Sequence, residues 1–552
     1  MSSSPPATPD EPGDPADGAL EPRDVPAKAT SAGRGVLLIS FAKLYFMFVG
    51  LFVQIRLTAL LSRAVFGAYG VINSMVSPVN SVMITGSIQT VSRFTAQEPH
   101  KARLVQHAGL RMHLYVGLGV AAVFIAAAPL LAWFLHDPGK TAPLMLAGVI
   151  VGAYAFYAVF VGTANGLRQF QKQAGLDIAF ATLRTCGLLG MAMIGAGVLG
   201  VIGGWAIAAG LILLIAAAWV GLPRLPRAET RLPVRPMISY LGQVAVYLIL
   251  FNLLLFVDTM LLKRFTSAYF ASHQAELASA LDTALPWARG VAGYHGEPAA
   301  LADVQVAYYT AVQTLARLSY QAIIAATFVV FPLISRSTFA EDRATTRRYV
   351  EITFRYSLIF ALAIAVAIAA HPSALMAVVY PADYASLGGP ALTALALGTV
   401  AFASLAIAGT ILNGAGLTGH AIATAAITLG VAATANAIAL GQVAPGPTAL
   451  RVAAIVTAGS MVFGAGVSGW VVRRKLGGFL PWRSALRIAA AGAIAFFAGR
   501  ALPATGKLGS LLEAAAVTAL FLIALVVLGE LGRGDLSAIR SIRSQRGGGE
   551  SS

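Results

Sequence analysis

Residues 304–332 read VQVAYYTAVQTLARLSYQAIIAATFVVFP, an apolar run long enough to cross a bilayer as a helix, with one charge, Arg317, near its middle. A charge at that depth costs about 2.5–3.5 kcal/mol on insertion scales, so it turns towards water or a partner rather than lipid. Lys43, Arg56, Asp177, Arg184 and Asp258 occupy similar settings. Together these six charges predict a polar path through a bundle of transmembrane helices.

Composition agrees with that class. Of 552 residues 57% are hydrophobic and only 11% charged, and the mean hydropathy is +0.76, far from a soluble globular chain. Runs of about 20 apolar residues recur, roughly twice the length of a barrel strand, which excludes an outer-membrane barrel. The reading is an all-α integral membrane protein of about 14 transmembrane helices, at 36–61, 68–92, 113–135, 142–165, 174–196, 199–222, 237–262, 304–332, 352–371, 387–413, 420–441, 449–472, 484–501 and 508–530. The single cysteine, Cys186, forms no intrachain disulfide and is expected to be a small packed residue. No signal-peptide pattern opens the chain.

The formal charge of +16 is concentrated in alternate loops, a positive-inside bias rather than a nucleic-acid surface. With both termini cytoplasmic, the cytoplasmic loops hold Arg93, Lys101 and Arg103; Arg168 and Lys172; Arg224, Arg227, Arg231 and Arg235; Arg336, Arg343, Arg347 and Arg348; and Arg473, Arg474, Lys475 and Arg483. Loops on the other side are poorer in Lys and Arg, and the one long excursion there is 265–302. An internal repeat is visible: Asn165-Gly166 closes the fourth span and Asn413-Gly414 the tenth, six spans later. The expected organisation is a disordered cytoplasmic tail (1–34), two six-helix bundles related by a pseudo-twofold axis (35–222 and 237–472), two additional helices (483–530) and a basic cytoplasmic tail (531–552).

Helical spacing sorts the polar residues. In the eighth span Thr310, Gln313, Arg317 and Gln321 share a face, read as cavity lining, with a polar seam between helices as the alternative. In the first span Lys43, Gly50 and Gln54 share a face, while Arg56 points elsewhere and either meets the cavity or snorkels to the outer interface. Asn73, Ser77, Asn80, Ser81 and Thr85 make the second span a polar helix beside the first. Asp177 and Arg184 lie two turns apart on the fifth span and each needs a partner elsewhere. Gln243, Tyr247 and Asp258 fall within a narrow arc of the seventh, where Asp258 is either an H⁺ or Na⁺ coupling carboxylate or one half of an ion pair. The GxGxxG at Gly414–Gly419 follows a membrane helix and reads as a turn. No HExxH, CxxC or phosphate loop is present, and no catalytic or metal-binding set can be assigned.

The junction LTALLSRAVFGAYG at 57–70 resembles the ARLLGPEEFGLYG junction of polysaccharide-type flippases in the multidrug/oligosaccharidyl-lipid/polysaccharide (MOP) superfamily. Phe66, Gly67, Tyr69 and Gly70 agree, whereas Ala59 and Ser62 replace the family's usual Arg and Gly, so no role of that Arg transfers. Asn252–Thr259, Ala307–Ala311 and Phe331–Ser335 are further similarities. The resemblance implies two inward-tilting bundles around a cavity that opens alternately to either side. It also implies a bacterial inner-membrane flippase, not an enzyme, that moves an undecaprenyl-pyrophosphate-type lipid-linked saccharide outward for polysaccharide, lipopolysaccharide or cell-envelope biosynthesis. On that reading Lys43, Arg56, Arg184 and Arg317 contact diphosphate or acidic sugar, Gln54, Gln313 and Gln321 bond sugar hydroxyls, and Asp177 and Asp258 are ion-coupling candidates for H⁺ or Na⁺. No other cofactor and no nucleic acid is implied, and polysaccharide polymerase or ligase machinery is the expected protein partner. The alternatives are a multidrug exporter of the same superfamily and a membrane polysaccharide polymerase or glycosyltransferase.

Overall fold

A computed structural model describes residues 26–223, 231–274, 287, 298–321, 323, 343–503 and 506–532. The expected tails at 1–34 and 531–552 lie largely outside the described residues, as do Arg224, Arg227, Arg336, Phe331–Ser335 and most of 265–302. The described residues form helices and no strand. Eleven of the helices are long and apolar enough to cross a membrane.

The first group of helices comprises α1 (Pro26–Leu60), α2 (Arg63–Ser81), α3 (Ser87–Gln97), α4 (Ala102–Phe134), α5 (Thr141–Gly166), α6 (Phe170–Met193) and α7 (Gly197–Val220). The second group comprises α8 (Arg235–Leu254), α9 (Val257–Ser272), α10 (Pro298–Ala316), α11 (Arg343–Ala370), the short α12 (Pro372–Val379), α13 (Ala382–Gly414), α14 (Thr418–Leu440) and α15 (Pro447–Leu476). Next come α16 (Trp482–Arg500) and α17 (Gly506–Val527). They pack on α11 and are tied to it by Arg355, which donates to Glu530 at 2.8 Å. Among the helices of membrane-spanning length, α5 in the first group and α13 in the second are the most enclosed by their neighbours.

Two expected spans are not continuous α-helices. In the second, Pro78 removes a ladder donor and the chain re-phases as a π turn at Val82–Gly86 before α3 resumes. In the seventh, the helix stops at Leu254 and restarts at Val257, so the expected arc of Gln243, Tyr247 and Asp258 on one helix face does not form. Cys186 is exposed on α6, not packed, because its face of the helix turns outward. The eighth span is described only as far as residue 323, and α10 is interrupted at Arg317.

The repeat recurs in backbone detail. After α5, Leu167, Arg168 and Gln169 N–H groups donate to the carbonyls of Thr163, Asn165 and Ala164 at 3.0, 2.9 and 2.8 Å. After α13, Ala415, Gly416 and Leu417 donate to Ile411, Asn413 and Leu412 at 2.9, 3.1 and 2.8 Å. The left-handed residue is Arg168 (φ 56°) in the first turn and Gly416 (φ 75°) in the second, three residues after the Asn in both. The GxGxxG is thereby a helix-ending turn.

The two groups meet along α2 and α10. A Cβ on Gly67 would lie 1.7 Å from the Asp303 carbonyl, and one on Gly70 would lie 2.5 Å from the Thr310 hydroxyl, so only glycine permits this approach. This contact lies towards the face where residues 61–63, 135–140 and 380–382 turn.

Candidate functional site

In the first group, Lys43 on α1 reaches Asp177 on α6 with Nζ–Oδ2 2.8 Å. Asp177 thus finds its partner on another helix, and the lysine read as a free cavity charge is paired. Arg184, roughly 14 Å from the α6 C-terminus at 1.5 Å per residue, stacks on the Trp205 ring at 4.5 Å. Trp205 Nε1 donates to the Tyr154 hydroxyl at 2.6 Å, which fixes the ring. Among the described residues the buried Arg184 Nε has no acceptor and the buried Gln54 Oε1 no donor. Arg56 is exposed one turn before the end of α1 and makes no ion pair among the described residues, a position suited to snorkelling. Among the described residues Arg56 and Arg184 therefore have no compensating carboxylate, and the Lys43–Asp177 pair adds no net charge.

The second group is built around the α8–α9 break. Asp258, 1% exposed at the start of α9, accepts from the Tyr309 hydroxyl at 2.7 Å, Gln313 Nε2 at 2.9 Å and the Thr259 N–H at 2.8 Å. Gln313 also accepts from the Thr259 hydroxyl at 3.0 Å. The carboxylate near a helix N-terminus is favourably placed in the helix dipole. Arg317 donates to the Leu255 carbonyl, one of the acceptors freed by the break, and lies over the Phe256 ring at 4.4 Å. Irregular backbone at membrane depth persists only where protein re-satisfies it, and Arg317 does that here.

The expected eighth-span stripe is therefore divided in use. Thr310 faces Gly70, with its hydroxyl buried and unpartnered. Gln313 and Arg317 turn into the break, and Gln321 follows the interruption, half-buried. Gln313 and Arg317 form a seam between α10 and the α8–α9 break, which is the alternative reading of that face. Two cavities of about 680 and 310 Å³ lie by α12 and Arg451, and between α11 and α16. None of the nine candidate residues lines either.

Sequence reasoning missed a cluster of four buried charges. Asp137 and Lys140, at the corner between α4 and α5, meet Lys263 of α9 and Asp303 of α10, with side chains 5, 8, 0 and 5% exposed. Lys140 lies 2.7 Å from Asp137 and 2.6 Å from Asp303, and Lys263 lies 2.9 Å from Asp137 and 2.7 Å from Asp303. Burial works against ionisation of Asp137, yet the Lys263 and Lys140 ammonium groups outweigh it and hold the carboxyl below its usual range. Nearby, Arg63 pairs with Asp383 at 2.5 Å, and Arg264 donates to the Phe134 carbonyl at 2.6 Å. The signal available in sequence was four charges beside expected loop ends, without any indication that they meet.

This arrangement, two groups of membrane-length helices meeting at a tightly closed face with charged residues between them, is that of a multi-pass membrane protein. The fold is similar to that of solved transporters of the MOP superfamily. Residues 57–274 match the model of the family described as polysaccharide biosynthesis protein. A lipid II flippase, MurJ, in an inward closed conformation superposes with a TM-score of 0.66 at 12% identity, covering 90% of this chain and 99% of its own. An inward-facing multidrug resistance MATE family transporter of the MOP superfamily gives 0.57 at 15% identity, covering 80% and 98%. A MOP superfamily transporter from Pyrococcus furiosus gives 0.54 at 14% identity, covering 80% and 95%. No curated protein matches by sequence.

Proposed function

We propose that the chain is a flippase for a lipid-linked saccharide of the undecaprenyl-pyrophosphate type. On this reading it moves the headgroup from the cytoplasmic to the outer leaflet of a bacterial inner membrane by alternating access. The observation that carries this reading is the cationic surplus of the first helix group: Arg184 at mid-span, and Arg56 near the helix end, have no carboxylate partner among the described residues. A diphosphate supplies the missing negative charge, and its bidentate geometry suits a guanidinium whose Nε is unsatisfied. The polysaccharide biosynthesis family match over 57–274 favours the same cargo class. A multidrug exporter of cationic compounds would gain from an anionic cavity, and a surplus of arginine opposes that.

The two helix groups act as the moving bundles, and both termini are cytoplasmic, as the loop charges favour. Asp258 is the candidate for H⁺ or Na⁺ coupling, since Asp177 is occupied by Lys43. Product leaves towards polymerase or ligase machinery at the outer leaflet. Purified protein in liposomes tests the reading against an enzymatic one. A lipid-linked sugar that changes leaflet with its covalent structure unchanged supports a flippase, and a new glycosidic bond overturns it.

A further inference from the structure

Asp137 and Lys140 belong to the first helix group, and Lys263 and Asp303 to the second. Signs alternate around the square. Two of its edges lie within one group: Lys140–Asp137 at 2.7 Å and Lys263–Asp303 at 2.7 Å. The other two cross between groups: Lys140–Asp303 at 2.6 Å and Lys263–Asp137 at 2.9 Å. Each group therefore contributes a complete, neutral ion pair, and the two pairs lie antiparallel.

We propose that this square is a latch that closes the expected external face and that it opens by dividing into two neutral ion pairs, one on each helix group. The proposal rests on the alternating-access reading, whatever the cargo. An ordinary buried pair between two moving bodies strands one charge on each when they part, and an unpaired buried charge is strongly unfavourable. Here parting breaks only the two crossing edges. Asp137 keeps Lys140, Asp303 keeps Lys263, and Lys263 also keeps the Ala299 carbonyl at 2.8 Å. The latch combines strong closure with a low cost of release.

Two neighbouring features fit this role. Asp303 sits where α2 and α10 approach most closely, opposite Gly67, so its side chain is at the seam that must separate. The Arg63–Asp383 pair also crosses the seam, and among the described residues neither end has an oppositely charged partner within its own group, but its side chains are 36 and 28% exposed, so water solvates both ends when they part. The buried crossing is thus the one built from self-neutral pairs.

The proposal separates two double variants that remove the same charges in number. Lys263→Met with Asp303→Leu deletes the second group's pair and leaves Asp137–Lys140 neutral with no crossing edge. Lys140→Met with Asp303→Leu leaves one crossing pair, Lys263–Asp137, whose parting strands a charge on each side. In a Cys186→Ser background, spin labels at Ala59→Cys and Ser386→Cys, both exposed on this face, report the separation of the groups in nanodiscs. The first double variant is expected to shift the distance distribution to a longer population, and the second to hold the short distance. Asp137→Leu with Lys140→Met is the mirror of the first and replaces it if that protein fails to fold. Equal behaviour of within-group and crossing variants, whether both long or both short, overturns the latch. The readout needs no cargo, so a wrong cargo assignment leaves it intact, whereas failed transport with normal distance shifts counts against the flippase reading alone.

Discussion

Replacing Arg317 by Met removes the side chain that re-satisfies the α8–α9 break, and the structure gives the size of the loss. The charge-assisted hydrogen bond to the Leu255 carbonyl contributes about 1.5–3 kcal/mol, and its removal leaves that acceptor buried without a donor. The contact with the Phe256 ring, at 4.4 Å, adds roughly 0.5–2 kcal/mol. Asp258 keeps its Tyr309, Gln313 and Thr259 donors and loses only a neighbouring positive charge that it does not contact as an ion pair. These contributions overlap in one network and do not add, so the expected destabilisation is on the order of 2–4 kcal/mol. Arg317→Lys retains charge but not the planar fork and is expected to fall between. Arg317→Met with Asp258→Asn removes both charges and is expected to be less destabilised than the two single effects summed, by about 1 kcal/mol or more. Equilibrium unfolding in detergent micelles measures all three. A wild-type stability for Arg317→Met, or strict additivity in the double variant, refutes the assignment of Arg317 as the partner of the break.

Other outcomes follow from separate features. Asp258→Asn is expected to flatten the dependence of transport on pH or Na⁺ if the carboxylate couples an ion, and an unchanged profile in liposomes leaves it structural. Gly67→Val is expected to abolish closure of the α2–α10 seam, since even a Cβ there would lie 1.7 Å from the Asp303 carbonyl; spin-label distances across that face check it. Because Asp137 is held below its usual carboxylate value of 3.8 by Lys263 and Lys140 against burial, its contribution to stability is complete above that value and is lost only as pH falls through the lowered one. Distances across the face are therefore expected to be the same at pH 5 and pH 8. Cysteines at Gln171 and Gln442, both exposed, are expected to be protected and labelled respectively by an impermeant thiol reagent in intact cells; the reverse pattern inverts the topology.

How much of this was legible in sequence depended on range. Apolar runs report the cost of placing residues in lipid one at a time, so membrane helices such as α5 and α13 were evident. The turn after Asn413 was legible because Gly416 takes a left-handed conformation, and its repeat at Arg168 followed from the shared Asn-Gly. The break in the seventh span was not, since NLLLFVD contains neither Pro nor Gly, and the residue that stabilises it lies 62 positions later. Lys43 and Asp177 are 134 positions apart, and Lys140 and Asp303 are 163 apart. Helical spacing placed each charge on a face and said nothing of the helix opposite, which is why Lys43 was read as free and the four-charge square was not anticipated.

The central claim is that the unpaired cation at mid-span serves an anionic, lipid-linked cargo. Leaflet exchange in proteoliposomes, measured side by side for a lipid-linked diphosphate sugar and a cationic organic dye, tests it most directly with wild type, Arg184→Lys and Arg184→Gln. The expected result is exchange of the diphosphate lipid by wild type, reduced exchange with Lys, loss with Gln, and no transport of the dye. Full exchange by Arg184→Gln, or transport of the dye by wild type without the lipid, contradicts the account.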